Sequence, residues 1–221
     1  LTAILGGSGA GKSSLLAALI GDLPFDGRVM IDGRDVREHR SMFRDKVGFV
    51  PQQESLFEAM TVRENVQMAL LAHNRQHRRV DLRATAAERA AADALLAEVR
   101  MTRFADQGCA TLAYGDAKRV ELALALANAP RLLLMDEPTA GMSPNSRNRL
   151  MQLASGVARD QGIAVLFTEH DMDVVFGHAD RIIVLDRGRV IAEGPPDAIR
   201  ADRKVRSVYL GEEASGDAGD R

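Results

Sequence analysis

The sequence predicts an α/β fold: a mostly parallel sheet covered by helices on both faces, interrupted by an inserted helical stretch and carrying a small antiparallel β part. Three observations lead there. A glycine loop stands between a short apolar run and an apolar helix at the start of the chain. Compact apolar runs then alternate with helical stretches, the pattern of strands buried on both faces. Between them lies a long Ala-, Arg- and Leu-rich stretch with helical spacing.

The first element is Thr2-Ala3-Ile4-Leu5, a short strand. Behind it Gly6-Gly7-Ser8-Gly9-Ala10-Gly11-Lys12-Ser13 completes the pattern G-x-x-x-x-G-K-S, and Ser14 and the apolar residues to Ile20 form a helix. That order turns a string match into a mechanism. Glycines let successive backbone N–H groups turn inward at phosphates, and the helix adds the positive end of its dipole. Lys12 would reach the β- and γ-phosphates of a nucleotide, and the Ser13 hydroxyl would ligate Mg²⁺.

Turn residues Pro24, Asp26 and Gly27 end the first helix, and 28–33 reads as a strand closing on a glycine turn. Val47-Gly48-Phe49-Val50 is a further strand, stopped by Pro51. Thr61 and Glu64 have capping-box spacing for a helix start. From about Val62 to Ala105 the chain reads as helical, with Ala87, Ala90, Ala91, Ala94, Leu95 and Val99 as one apolar face. The basic run from His73 to Arg79 reads as solvated. A strong helix is expected from Lys118 to about Asn128, then the strand Leu132 to Met135, a helix from Arg147 to Arg159 and a buried strand from Ile163 to Phe167. A helix over Asp173 to Phe176 precedes strands at Arg181–Leu185 and Arg189–Ala192 around a turn. The Gly- and Asp-rich tail 211–221 is expected to be disordered.

Composition narrows the function. The 221 residues carry 29 basic and 31 acidic side chains, interleaved, for a net charge of −2; no basic face for nucleic acid stands out. A lone Cys109 forms no internal disulfide, which fits a reducing, cytoplasmic setting. No apolar run is long enough to span a bilayer. The chain opens at Leu1 a few residues before the glycine loop, which suggests a fragment or a trimmed domain.

Nucleotide hydrolysis needs a second acid for Mg²⁺ and a group to activate water. The strand ending at Met135 delivers Asp136 at its C-terminal end, where parallel sheets bind ligands. Asp136 would hold Mg²⁺, and Glu137 would polarise the attacking water.

Taken in order, the motifs resemble the nucleotide-binding subunits of ABC transporters over nearly the whole chain. Val50-Pro51-Gln52 looks like the Q-loop, with Gln52 contacting Mg²⁺ and sensing a membrane partner. Leu112-Ala113-Tyr114-Gly115-Asp116 looks like the signature motif, and Ala140-Gly141-Met142-Ser143-Pro144 lies where the family has its D-loop. His170 matches the switch histidine that contacts the γ-phosphate. The signature, Glu169-His170-Asp171-Met172 and Val208-Tyr209-Leu210-Gly211-Glu212 are similar to ATPases of branched-chain amino-acid uptake; urea, amide and lipopolysaccharide-export ATPases share the pattern.

The resemblance implies a phosphate-loop, RecA-like core over 1–55 and 112–210, with a partial, truncated β part within 22–50 and a helical subdomain over 56–111. It implies Glu137, His170 and Gln52 as catalytic residues, and Ser13, Gln52 and Asp136 around Mg²⁺. ATP would sit between Gly6–Ser14 of one subunit and Ala113, Tyr114, Gly115 and Asp116 of another, in a homodimer or a heterodimer with a similar ATPase. Partners would be transmembrane permease subunits and, indirectly, a periplasmic solute-binding protein, at the cytoplasmic face of the plasma membrane. Phe57, Met60 and Val62 are candidate groove residues for the permease. Ala113, Asp116 and Ser143 depart from the family pattern; Asp116 sets a carboxylate near a polyanion. Family members stack adenine on an upstream aromatic residue, and none here fills that role. Rival readings are a non-transport ABC ATPase, a phosphate-loop kinase and a binding module without turnover. His39, His73 and His77 sit in charged segments without metal-ligand spacing, His178 reads as a structural or surface residue at a helix end, and Cys109 reads as a small buried residue.

Overall fold

A computed structural model describes residues 1–31, 33–38, 46–73 and 85–210. Strands β1 (Thr2–Leu5), β4 (Val47–Val50), β5 (Leu132–Asp136), β6 (Ala164–Glu169), β7 (Arg181–Asp186) and β8 (Arg189–Gly194) form a six-stranded sheet in the order β4-β5-β6-β1-β7-β8. All neighbours run parallel except the β7–β8 hairpin. Strands β2 (Met30–Ile31) and β3 (Arg34–Asp35) make the small antiparallel pair.

Successive side chains of a strand point to opposite faces, so a sheet covered twice needs apolar residues at every position. Strand β5 meets this requirement. Leu133 and Met135 join the main core with Val120 and Leu150, while Leu134 packs on the other face with Leu16 and Val47. Helix α1 (Lys12–Ile20) supplies Leu16 to that second face. Helices α4 (Tyr114–Leu126) and α5 (Pro144–Gln161) supply Val120 and Leu150 to the first. Gly48 lets β4 lie against α4, because a Cβ there would stand 2.4 Å from the Ala125 carbonyl oxygen.

The inserted stretch contains α2 (Val62–His73) and α3 (Ala86–Glu98), followed by a short 3₁₀ turn at Thr102–Phe104. Its ends are tied together by Val62 N–H donating to Gln107 O and Cys109 N–H donating to Met60 O, both at 3.0 Å. The Thr61–Glu64 capping box forms, with Thr61 N–H donating to Glu64 at 2.7 Å.

Helix α3 turns a different face inward from the expected one. Ala92, Leu96 and Val99 are buried, Leu95 is half-buried, and Ala87, Ala90, Ala91 and Ala94 face solvent. Alanine gains little from burial, so the bulkier Leu96 and Val99 set the rotation by packing with Val62, Val66 and Met101. Helix α4 begins at Tyr114 rather than Lys118, with Ala113 as its N-cap residue. Helix α5 begins at Pro144, where the fixed φ of proline suits the first turn. Helix α6 (Met172–His178) is capped by the Asp171 side chain. The hairpin leads to a short helix at Pro196–Ala201 and to turns reaching Leu210. His39, His77 and the tail 211–221 lie outside the described residues, as does most of the basic run after His73.

Candidate active site

The glycine loop joins the C-terminal end of β1 to α1. Gly6 has no room for a side chain: a Cβ would stand 2.9 Å from Ala10 Cβ and 3.0 Å from Leu185 O. Gly11 caps α1 with φ of 100° and offers no side-chain acceptor. The first amides of α1 are therefore available to an anionic ligand. Gly7, Ser8, Gly9, Ala10, Gly11, Lys12, Ser13 and Ser14 line a cavity of about 590 Å³, and Gln52, Glu137 and His170 close its other side.

At the centre lies the Glu137 carboxylate. Lys12 Nζ is 3.0 Å from Oε1, Gln52 Nε2 donates to Oε2 at 3.2 Å, and His170 Nδ1 lies 3.4 Å from the same oxygen. The Lys12 side chain is buried and also donates to Gly6 O at 2.8 Å. Ser13 Oγ donates to Asp136 Oδ1 at 3.3 Å. A hydroxyl and a carboxylate oxygen are hard donors of the kind Mg²⁺ takes alongside substrate phosphates. Among the described residues no cluster of three or more His, Cys, Asp or Glu forms an all-protein metal cage.

Sequence reasoning missed residues that hold these groups in place. Thr168, fully buried, donates to Asp136 Oδ1 at 2.6 Å and accepts from Glu137 N–H at 3.0 Å. Lys118 is also fully buried; its ammonium donates to Pro51 O, Gln52 O and Glu121 at 2.8, 3.0 and 2.7 Å. Glu121 in turn accepts from Ser55 N–H at 2.6 Å. Tyr209 accepts from Gly7 N–H at 3.1 Å and donates to Leu185 O at 2.6 Å. The three-residue spacing of Lys118 and Glu121 in α4 was the one available signal.

Ala113, Tyr114, Gly115 and Asp116 do not line the cavity. They form the first turn of α4 and its cap, beside the start of α5, where a Cβ on Gly115 would lie 3.6 Å from Ser146 Cβ. Asp116 is ion-paired with Arg119 of its own helix. Ser143 Oγ donates to Ser146 Oγ at 3.1 Å. Of the candidate permease contacts, Phe57 is exposed and Met60 half-buried, but Val62 belongs to the core. Its place at the start of α2, facing Val66, explains that correction. Cys109 is buried beside Asn65, and burial raises its thiol pKa. His178 faces Asn148, with burial lowering its pKa.

Fold and cavity define a phosphate-loop nucleotide-binding protein. Residues 1–140 match the ABC transporter family model, and residues 189–215 match the branched-chain amino acid ATP-binding cassette transporter model. The high-affinity branched-chain amino acid transport ATP-binding protein of Pseudomonas aeruginosa is 33% identical, over 96% of this chain and 87% of its own length. The lipopolysaccharide export system ATP-binding protein of Haemophilus influenzae is 34% identical, over 96% and 86%. A dimeric ATP-binding cassette in a post-hydrolysis state, bound to ADP and Pi, superposes with a TM-score of 0.75 at 32% identity, over 89% of this chain and 85% of that one. The chain belongs to the ATP-binding family of ABC transporters, and it is an ABC-type ATPase.

Proposed function

We propose that two copies of this chain meet head to tail, hydrolyse ATP with Mg²⁺ and so drive import of branched-chain amino acids or related amides through a permease. One observation carries the catalytic part: Lys12, Gln52 and His170 converge on the Glu137 carboxylate within 3.0, 3.2 and 3.4 Å. Bound phosphates would draw the Lys12 ammonium to themselves, and Glu137 would then be free to orient water and take its proton. His170, which lines the same cavity, would donate to the γ-phosphate. Ser13 and Asp136 would hold Mg²⁺, which neutralises charge on the β- and γ-phosphates when bound. Ala113 to Asp116 would meet the nucleotide of the other copy through the amides at the start of α4.

The solute class is supported by the match at 189–215 and by the branched-chain amino acid relative. Relatives in lipopolysaccharide export and phosphonate import, at 34% and 33% identity, set the competing readings. Exposed Phe57, whose backbone is bracketed by Asn65 at 2.8 and 3.1 Å, is the proposed contact for the permease. No helix among the described residues is long and apolar enough to cross a membrane, so work at the inner membrane face would depend on that contact.

Glu137→Gln tests the catalytic assignment. It should bind ATP, lose about a hundredfold in turnover, the low end for a lost general base, and accumulate as an ATP-bound dimer. Turnover at the wild-type rate would remove Glu137 from its role.

A further inference from the structure

Glu169 is a fully buried carboxylate that plays no part in the chemistry above. It ends β6, directly before His170. Its Oε1 accepts from Thr139 N–H at 3.1 Å and from Thr139 Oγ1 at 2.6 Å, and its Oε2 accepts from His170 N–H at 3.3 Å. Thr139, also buried, lies two residues beyond Glu137. One side chain therefore grips the backbone of both segments whose side chains face each other across 3.4 Å.

The Glu137 segment needs such a grip. Glu137 adopts φ of +42°, a left-handed conformation that a non-glycine residue keeps only when its surroundings over-determine it. On the near side Thr168 holds the Glu137 amide, through Oγ1 at 3.0 Å and its carbonyl at 3.2 Å. On the far side the turn continues through Ala140 N–H donating to Glu137 O at 3.1 Å, and Glu169 anchors it at Thr139. Removing that anchor leaves buried donors on Thr139 unpaired and lets the turn relax towards ordinary φ.

We propose that Glu169 is a positioning residue for hydrolysis, setting the Glu137 carboxylate and the His170 ring in register while taking no part in nucleotide binding. This rests on the catalytic reading of Glu137 given above. The Glu169 side chain does not line the cavity, and its hydrogen bonds go to Thr139 and His170, so its loss should act on kcat alone. Glu169→Gln keeps the shape and one acceptor for Thr139, but turns an amide N–H₂ toward the His170 N–H.

The test measures, for the full chain, binding of a fluorescent ATP analogue and steady-state hydrolysis, with kcat expressed per nucleotide-binding site. Glu169→Gln should bind with wild-type stoichiometry and an affinity within about twofold, while kcat falls by up to about a hundredfold, the scale of a catalytic group displaced by about 1 Å. Thr139→Val should show the same split, and Thr139→Ser, which restores the hydroxyl, should return to the wild-type rate. If Glu169→Gln does not fold, the Thr139 pair carries the test. Wild-type kcat per binding site, or equal rates for the Val and Ser variants, overturns the proposal. Glu137→Gln run in parallel separates the two ideas: if it hydrolyses normally, the catalytic reading fails first, and if it alone is inactive, the fault lies with Glu169.

Discussion

The cavity and the first turn of α4 make a revealing contrast. In the cavity, Lys12, Gln52 and His170 already contact Glu137, and the Ser13 hydroxyl and Asp136 carboxylate stand 3.3 Å apart. At the first turn of α4 the N-cap Ala113 has no side-chain bond to offer, Tyr114 is exposed, and Ala113 to Asp116 take no part in lining the glycine-loop cavity. One region is a cavity whose polar side chains already converge; the other is a helix start whose cap residue makes no side-chain hydrogen bond. On the proposed reading they are the two halves of one site, supplied by different copies.

The two regions are nevertheless joined inside each chain. Lys118, one turn along α4 from Tyr114, holds the carbonyls of Pro51 and Gln52 and pairs with Glu121. Severing that link gives the largest expected effect on stability. Lys118→Met leaves the buried Glu121 without its cation and should cost about 3–5 kcal/mol, lowering Tm by roughly 6–20 °C in a domain of this size. Arg181→Ala breaks an exposed pair with Glu193 and should cost less than about 1 kcal/mol. Thermal unfolding of both variants shows whether the difference holds; equal melting points would mean that the link carries no energy.

A smaller effect is expected at Asp116. The sequence suggested that its carboxylate repels a partner's nucleotide, but the Arg119 guanidinium lies against it and offsets most of that charge. Asp116→Gln should therefore raise turnover by no more than about twofold, since partly exposed charges act weakly. A steady-state phosphate-release assay at saturating ATP checks this, and a fall in turnover would contradict it.

What could be read from the sequence follows from where the interactions lie. The glycine loop was legible because its chemistry requires Gly6 to Ser13 in one unbroken stretch, with a strand before and a helix after. The parallel sheet was legible because strands covered on both faces cannot hide their apolar runs. The rotation of α3 was not, since alanines at many positions leave the helix without a strong apolar direction. Thr168, Glu169 and Lys118 were missed for another reason. Each acts on residues at least 30 positions away, joining β6 to the Glu137 segment or α4 to Gln52, and a lysine in a sequence reads by default as solvated. Sequence periodicity also delayed the start of α4 to Lys118, because Tyr114 and Gly115 are weak helix formers.

The most direct test of the divided site mixes two variants. Lys12→Ala removes the buried ammonium from the cavity, and Gly115→Asp adds a carboxylate at the start of α4, where a Cβ meets Ser146 at an ordinary contact of 3.6 Å. Each variant alone should be inactive as an ATPase. In an equal mixture, half of the dimers pair an intact cavity with an intact α4 start, and ATPase activity should return to about a quarter of wild type, one site in four. A mixture as inactive as its components would contradict a site built from two copies.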